Sequence, residues 1–268
     1  MSFITAFLAT LLVCSAAPAP PSPLKPAEAL RQKYQLTPAT LKRSIFKIVN
    51  EDPDGLRQTV GAVLKAYVEA PREFDVELAP TNRFDLMQGS FSWVKLSMSG
   101  GLFEKIGISH AAVELTNAVL DMGELLLADR LRLRSYRSLE FLVEVSEAEL
   151  NRFVFAEAKS PSVQFPKVEL KNGTIRVSAH VRSFGKVALE GAFEVVEGSK
   201  INFVPSSLRV GILPLPGFVT RALLNRVNPV ADLTKLNIKV RPDLIVSRPG
   251  RLFVLTTGMK KVLEKRSK

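Results

Sequence analysis

Two histidines, one cysteine and a few closely spaced carboxylates are the groups with which this chain of 268 residues could do chemistry. His110 and His180 each sit inside an alternating strand pattern with no reactive partner nearby in sequence. A lone strand histidine is a surface or core residue far more often than a base or a ligand. No His-Glu spacing suggests zinc, no Gly-x-Ser-x-Gly marks a nucleophile, and no glycine-rich turn opens a helix to cradle phosphate. Gly100-Gly101 leads into Leu102-Phe103 rather than a phosphate-binding lysine, which predicts a plain turn. Glu147 and Glu149 are spaced as an acid–base pair would be, but they belong to Ser146-Glu147-Ala148-Glu149, a capping box. There the Ser146 hydroxyl accepts from the Glu149 amide and the Glu149 carboxylate reaches back to the Ser146 amide. Asn172-Gly173-Thr174 fits a glycosylation sequon, yet Asn-Gly between two alternating segments reads first as a hairpin turn. The inventory predicts no catalytic residue, no metal site and no cofactor.

Composition points to a different kind of work. The chain is 46% hydrophobic, and its 37 Lys and Arg exceed its 26 Asp and Glu for a net charge of +11. A basic surface with neither interleaved aromatics nor a recognisable module does not suggest nucleic acid. An exported basic protein instead meets anionic lipid headgroups, so an anionic membrane surface is the expected partner beside a lipid ligand. Export is expected from residues 1–16, a short apolar run over 3–13 ending in small residues, read as a signal peptide cleaved after Ala16. That places the protein outside the cytoplasm, in the periplasm or cell envelope. Cys14 falls within the leader, where bulky Val13 is unlike the small residue that precedes a lipidated cysteine. Retention of the leader as an anchor and lipidation at Cys14 are the alternatives.

The elements follow from periodicity. Residues 17–36 read as a proline-rich linker, with Pro18, Pro20, Pro21, Pro23 and Pro26 opposing helix and sheet alike. An N-terminal helical segment follows over 37–71. Leu41, Ile45, Ile48 and Val49 form one amphipathic stripe, and Leu56, Val60, Val63, Leu64 and Tyr67 form another. From Glu73 the period becomes two, with strands expected over 91–98, 106–115, 119–127 and 139–145. Phe91 and Trp93 share one strand face, as core or as a lipid-facing wall. Leu150, Phe153 and Val154 give a short helix its stripe. An antiparallel meander occupies 163–212, with hairpin turns at Asn172-Gly173 and Glu197-Gly198, one face apolar and one polar. A helix follows Leu215 and ends at Asn228-Pro229, a strand pair is expected over 236–246 and 252–256, and the basic tail 258–268 should fray.

Residues 145–151, 168–175, the Leu213-Pro214-Leu215-Pro216 turn and residues 227–233 together resemble the LmeA-like family of bacterial phospholipid-binding proteins, over a domain of about 73–257. The resemblance implies an α+β fold of the tubular lipid-binding kind, a long curved and mostly antiparallel sheet wrapped around one or two helices. It also implies a non-enzymatic envelope protein that holds phospholipid or a related lipid in an apolar channel. On that reading the channel is walled by Phe193, Phe203, Leu213, Leu215, Phe218, Val219 and Leu223, while Arg221, Arg226 and Lys235 meet the headgroup phosphate. The same alternation also builds a filled core, so an envelope scaffold is the first alternative and a glycolipid-processing enzyme the second.

Overall fold

The structure, a computed structural model, describes residues 27–65, 71–80, 82–103, 106–157, 163–182, 185–211, 213–214, 231–232 and 241–266. In chain order its helices and first strands are α1 (Glu28–Tyr34), α2 (Leu41–Glu51), α3 (Pro53–Lys65), β1 (Glu73–Ala79), α4 (Arg83–Gln88) and β2 (Ser90–Ser99). There follow β3 (Leu102–Phe103), β4 (Ile106–Gly107), β5 (His110–Leu120), α5 (Met122–Ala128), β6 (Leu133–Ser135), β7 (Ser138–Ser146) and α6 (Glu147–Glu157). The meander is β8 (Val163–Lys171), β9 (Thr174–Val181), β10 (Gly185–Val196), β11 (Lys200–Val210) and β12 (Leu213–Pro214). Last come β13 (Ala231–Asp232), β14 (Leu244–Arg248), β15 (Arg251–Leu255), a 3₁₀ turn (Thr257–Met259) and α7 (Lys260–Arg266). The fold is α+β, its strands antiparallel, as expected.

The described residues fall into two compact units, each discontinuous in sequence. One takes the chain up to Ser99 together with Ala112–Glu140. In it α2 and α3 form over the two predicted stripes, burying Ile45, Ile48, Val49, Leu56, Val60 and Val63 beside Phe91, Val94 and Leu120. The linker expected over 17–36 is corrected in its second half, where residues 28–34 form α1. A seven-residue helix is marginal alone, but Leu30 and Tyr34 are buried and the Arg31 guanidinium meets Asp129 at 2.7 Å. That pairing lies 98 residues away in sequence, out of reach of local pattern. The strand expected over 119–127 is also corrected. Its residues end β5 and then form α5, where the Asp121 carboxylate accepts from the amides of Gly123 and Glu124 at 3.0 and 3.2 Å. Met122, Leu125 and Leu126 are buried at helical spacing. Asp121 at the cap with Glu124 three residues on marks a helix start that the strand expectation overlooks.

The other unit takes Gly100–Ala111 and the chain from Phe141 onward. The strand expected over 106–115 is broken: β4 pairs with β3, and β5 starts afresh at His110. Strand β15 lies between β7 and β14, all antiparallel. Leu142, Phe253 and Leu255 form a core with Met259 and Leu263. The basic tail therefore does not fray through Arg266, because α7 is held by a buried Leu263 while Lys260 and Lys261 stay exposed. The second sheet has the order β12-β11-β10-β9-β8, with β13 also on β11. Its turns sit where the sequence places them: Gly173 has φ 70°, and Glu197 and Gly198 have φ 55° and 69°, the left-handed region that favours glycine. The leader 1–16, the helix expected after Leu215 and the start of the strand expected at 236 lie outside the described residues.

Candidate lipid-binding site

The six-stranded sheet has a free edge at β8, and α6 closes it. Helix α6 starts at Ser146, whose Oγ accepts from the Glu149 amide at 3.2 Å. The return arm of the expected capping box does not form. The Ser146 amide donates to Ser109 Oγ at 3.1 Å, and the Glu149 carboxylate pairs with Arg152 at 2.8 Å. Glu147 is turned to the sheet instead, its Oε2 accepting from the Leu170 amide at 2.7 Å. One turn on, the Asn151 side chain binds both backbone groups of Val168, Oδ1 accepting from its amide and Nδ2 donating to its carbonyl, each at 2.8 Å. Residues 168 and 170 thus turn their backbone groups outward, and Pro166, within the irregularity before Lys167, has no N–H to leave unpaired. An edge strand that would template aggregation is covered by two side chains and a proline.

Cross-strand register makes one face of this sheet apolar. Val168 lies opposite Val177 and Leu170 opposite Ile175. Val177 faces Leu189 and Ala179 faces Val187. Leu189 faces Leu208, Phe193 faces Phe203 and Val195 faces Ile201. Phe193 and Phe203 meet edge to face with centroids 5.5 Å apart, a geometry that suits the ring quadrupoles. Gly191 makes room for them. A Cβ there would stand 2.7 Å from Phe203 Cζ and 2.3 Å from the Val204 carbonyl oxygen. Ile201 and Phe203 are fully buried, whereas Val187, Leu189, Phe193, Val195 and Val210 are only half-buried. Leu213 continues the face opposite Val210 and is 67% exposed.

The expected wall residues therefore divide. Phe193, Phe203 and Leu213 share the apolar face, while Leu215, Phe218, Val219 and Leu223 lie outside the described residues, as do the expected headgroup residues Arg221, Arg226 and Lys235. In the other unit Trp93 is half-buried with the Lys95 ammonium 4.7 Å over its ring.

The opposite face is charged. Glu169, Arg176, Glu190 and Ser207 form one cross-strand row, and Lys167, Ser178, Ala188 and Arg209 the next. Arg176, Ala188, Glu190, Ser207 and Arg209 line a small hollow on this face. The Lys167 ammonium, 2.9 Å from Glu169, holds that carboxyl below its ordinary range, with Arg176 and Lys171 adding to the effect. The carboxylate raises the Lys167 ammonium in turn. The sequence pattern already places Arg176, Ser178, Glu190 and Arg209 on the polar face, and counting outward from the Asn172-Gly173 turn pairs Arg176 with Glu169.

Among the described residues no three His, Cys, Asp or Glu side chains converge as a metal site, and no helix is long and apolar enough to cross a membrane. No curated protein and no solved structure matches the chain. The family model of LmeA-like phospholipid-binding proteins matches residues 54–257, from within α3, earlier than the motifs indicate, to just past β15. The chain belongs to the LmeA-like phospholipid-binding family.

Proposed function

We propose that this is an exported, non-enzymatic protein that carries phospholipid or a related envelope lipid against the apolar face of the β8–β12 sheet. The observation that carries the reading is the half-buried row of Val187, Leu189, Phe193, Val195 and Val210, in a chain of phospholipid-binding family. A face of this kind, left to water, forfeits about 25 cal/mol per Å² of apolar surface, which an acyl chain recovers. Phe193, Phe203 and Leu213 contribute to the wall, with Leu215, Phe218, Val219 and Leu223 completing it and Arg221, Arg226 and Lys235 meeting the phosphate. Export follows from the leader, cleaved after Ala16. The net charge of +11 brings the protein to anionic membranes.

Mass spectrometry of the purified protein under native conditions tests this. Co-purifying phospholipid is expected, and removing it should lower the unfolding temperature, since a ligand that binds only the folded state stabilises it. Protein that is lipid-free as purified and takes up no added phospholipid overturns the carrier reading in favour of an envelope scaffold. Turnover of a lipid-linked sugar would favour the enzyme.

A further inference from the structure

Three large apolar side chains stand in solvent at one end of the six-stranded sheet: Phe155 is 71% exposed, Phe165 78% and Leu213 67%. Their common location follows from register. Along the α6–β8 contact Glu147 meets Leu170 and Asn151 meets Val168. Four helical residues advance about 6 Å and two strand residues about 6.8 Å. The next step brings Phe155 level with Pro166 and Phe165. Across the sheet, the start of β8 pairs with the end of β9, β9's end with the start of β10, β10's start with the end of β11, and β11's end with Leu213.

Phe165 is held there against its backbone preference. It has φ 50° and sits at an irregularity between Gln164 and Lys167, a conformation that is a genuine outlier for a bulky residue. A strained aromatic left exposed belongs to a function rather than to the core. On the strands at this end charge has one sign, although α6 also ends there with Glu157. The outermost cross-strand rows are Gln164–His180–Lys186 and Lys167–Ser178–Ala188–Arg209, with Arg182 in the turn beyond, and the acids Glu169 and Glu190 come only in the third row.

We infer that this end of the sheet docks on an anionic phospholipid bilayer, with Phe155, Phe165 and Leu213 entering the interface and Lys186, Arg182 and Arg209 facing the headgroups. Aromatic and aliphatic side chains ringed by cations are what such an interface takes up. The inference rests on the lipid-carrier reading and adds the place at which lipid is exchanged with a membrane.

The test floats the full chain with vesicles of phosphatidylcholine and phosphatidylglycerol (3:1) or of phosphatidylcholine alone, with lipid retention followed separately by native mass spectrometry. Asn tolerates left-handed backbone and Gln suits a helix, so the Phe155→Gln/Phe165→Asn double variant keeps the fold. It should lose about tenfold or more in binding to the anionic vesicles while retaining co-purified phospholipid, and Arg182→Glu/Lys186→Glu should lose binding and its salt dependence. A Trp93→Phe/Phe155→Trp chain reads this edge alone, whatever else touches the vesicle. Its fluorescence should be quenched by brominated acyl chains in anionic vesicles. Unchanged flotation of the double variant, or vesicle-bound protein with no quenching, overturns the proposal. So does a double variant that binds vesicles normally but turns from dimer to monomer, which would assign the patch to a second copy. Lost lipid retention with unchanged flotation would overturn docking and place the phenylalanines in the ligand cavity.

Discussion

The Asn151 side chain closes on Val168 from both sides, donating to its carbonyl and accepting from its amide at 2.8 Å each. Asn151 and Val168 belong to two sequence stretches that carry the family resemblance, residues 145–151 and 168–175. Glu147 and Leu170, in the same two stretches, are joined at 2.7 Å. These two stretches are therefore the two halves of one structural device, a helix latched along the edge of the six-stranded sheet. The carboxylates in these stretches are engaged structurally, Glu147 with the Leu170 amide and Glu149 with Arg152.

Removing the latch should destabilise without touching the apolar face. Asn151→Ala leaves the Val168 amide and carbonyl without protein partners at a buried residue, and should lower stability by about 1–3 kcal/mol. Asn151→Asp keeps the acceptor and loses the donor, and should fall between. Urea denaturation of the three proteins checks the order. Light scattering during refolding should rise for Asn151→Ala, since β8 regains an open edge.

Gly191 is required by contact, not by its φ angle. A methyl group there meets the Val204 carbonyl oxygen at 2.3 Å and the Phe203 ring at 2.7 Å, so Gly191→Ala must displace either backbone or an aromatic ring in a packed pair. A loss of about 1–3 kcal/mol is expected. Pairing it with Phe203→Leu, which withdraws the ring edge, should recover part of that loss. Additive losses in a double-mutant cycle would show that the ring is not the obstacle.

Acid should weaken the α5 cap. The Arg134 guanidinium, at 3.1 Å, holds the Asp121 carboxyl below its ordinary value of 3.8, helped by the amides of Glu124 and Gly123 and opposed by burial. A carboxyl lowered in the folded state contributes stability that is complete above the unfolded value and lost as pH falls through the folded one. Asp121→Ala should cost about 0.5–2 kcal/mol at neutral pH. The difference between it and the parent should shrink as pH drops below the ordinary carboxylate range, measured by urea unfolding from pH 7 to pH 3.

What could be read from the sequence was whatever a short window contains. The Asn172-Gly173 and Glu197-Gly198 turns place residues at positive φ, so the meander and its two faces were legible, with Phe193 and Phe203 on the apolar one. The stripes of α2 and α3 were legible because each has a polar face for contrast. Helix α5 left a cap signal in Asp121 and Glu124, but at seven residues it is too short to show a full helical stripe. Helix α1 was not legible, because Asp129 holds it from afar. Phe165 lies at an apolar position of the 163–212 meander. The register shift before Lys167 leaves it exposed, and Pro166 inside the shift is the one residue that announces an edge or bulge there.

Phe193 and Phe203 allow a lipid-lining face to be told from a filled core. They touch edge to face, yet Phe203 is 1% exposed while Phe193 is half-buried. Truncating a fully enclosed ring removes its transfer energy and leaves a cavity, so Phe203→Ala should cost about 3–5 kcal/mol whether or not lipid is present. If Phe193 faces an acyl chain, truncating it mainly widens a space the ligand already occupies. Phe193→Ala should then cost clearly less in delipidated protein, yet release phospholipid more readily, so that lipid raises its unfolding temperature by less than the parent's. Denaturation of both variants with and without lipid separates the two roles. Equal core-sized losses at both positions with lipid retention unchanged would make this pair part of a filled core and move the acyl chain elsewhere along the sheet.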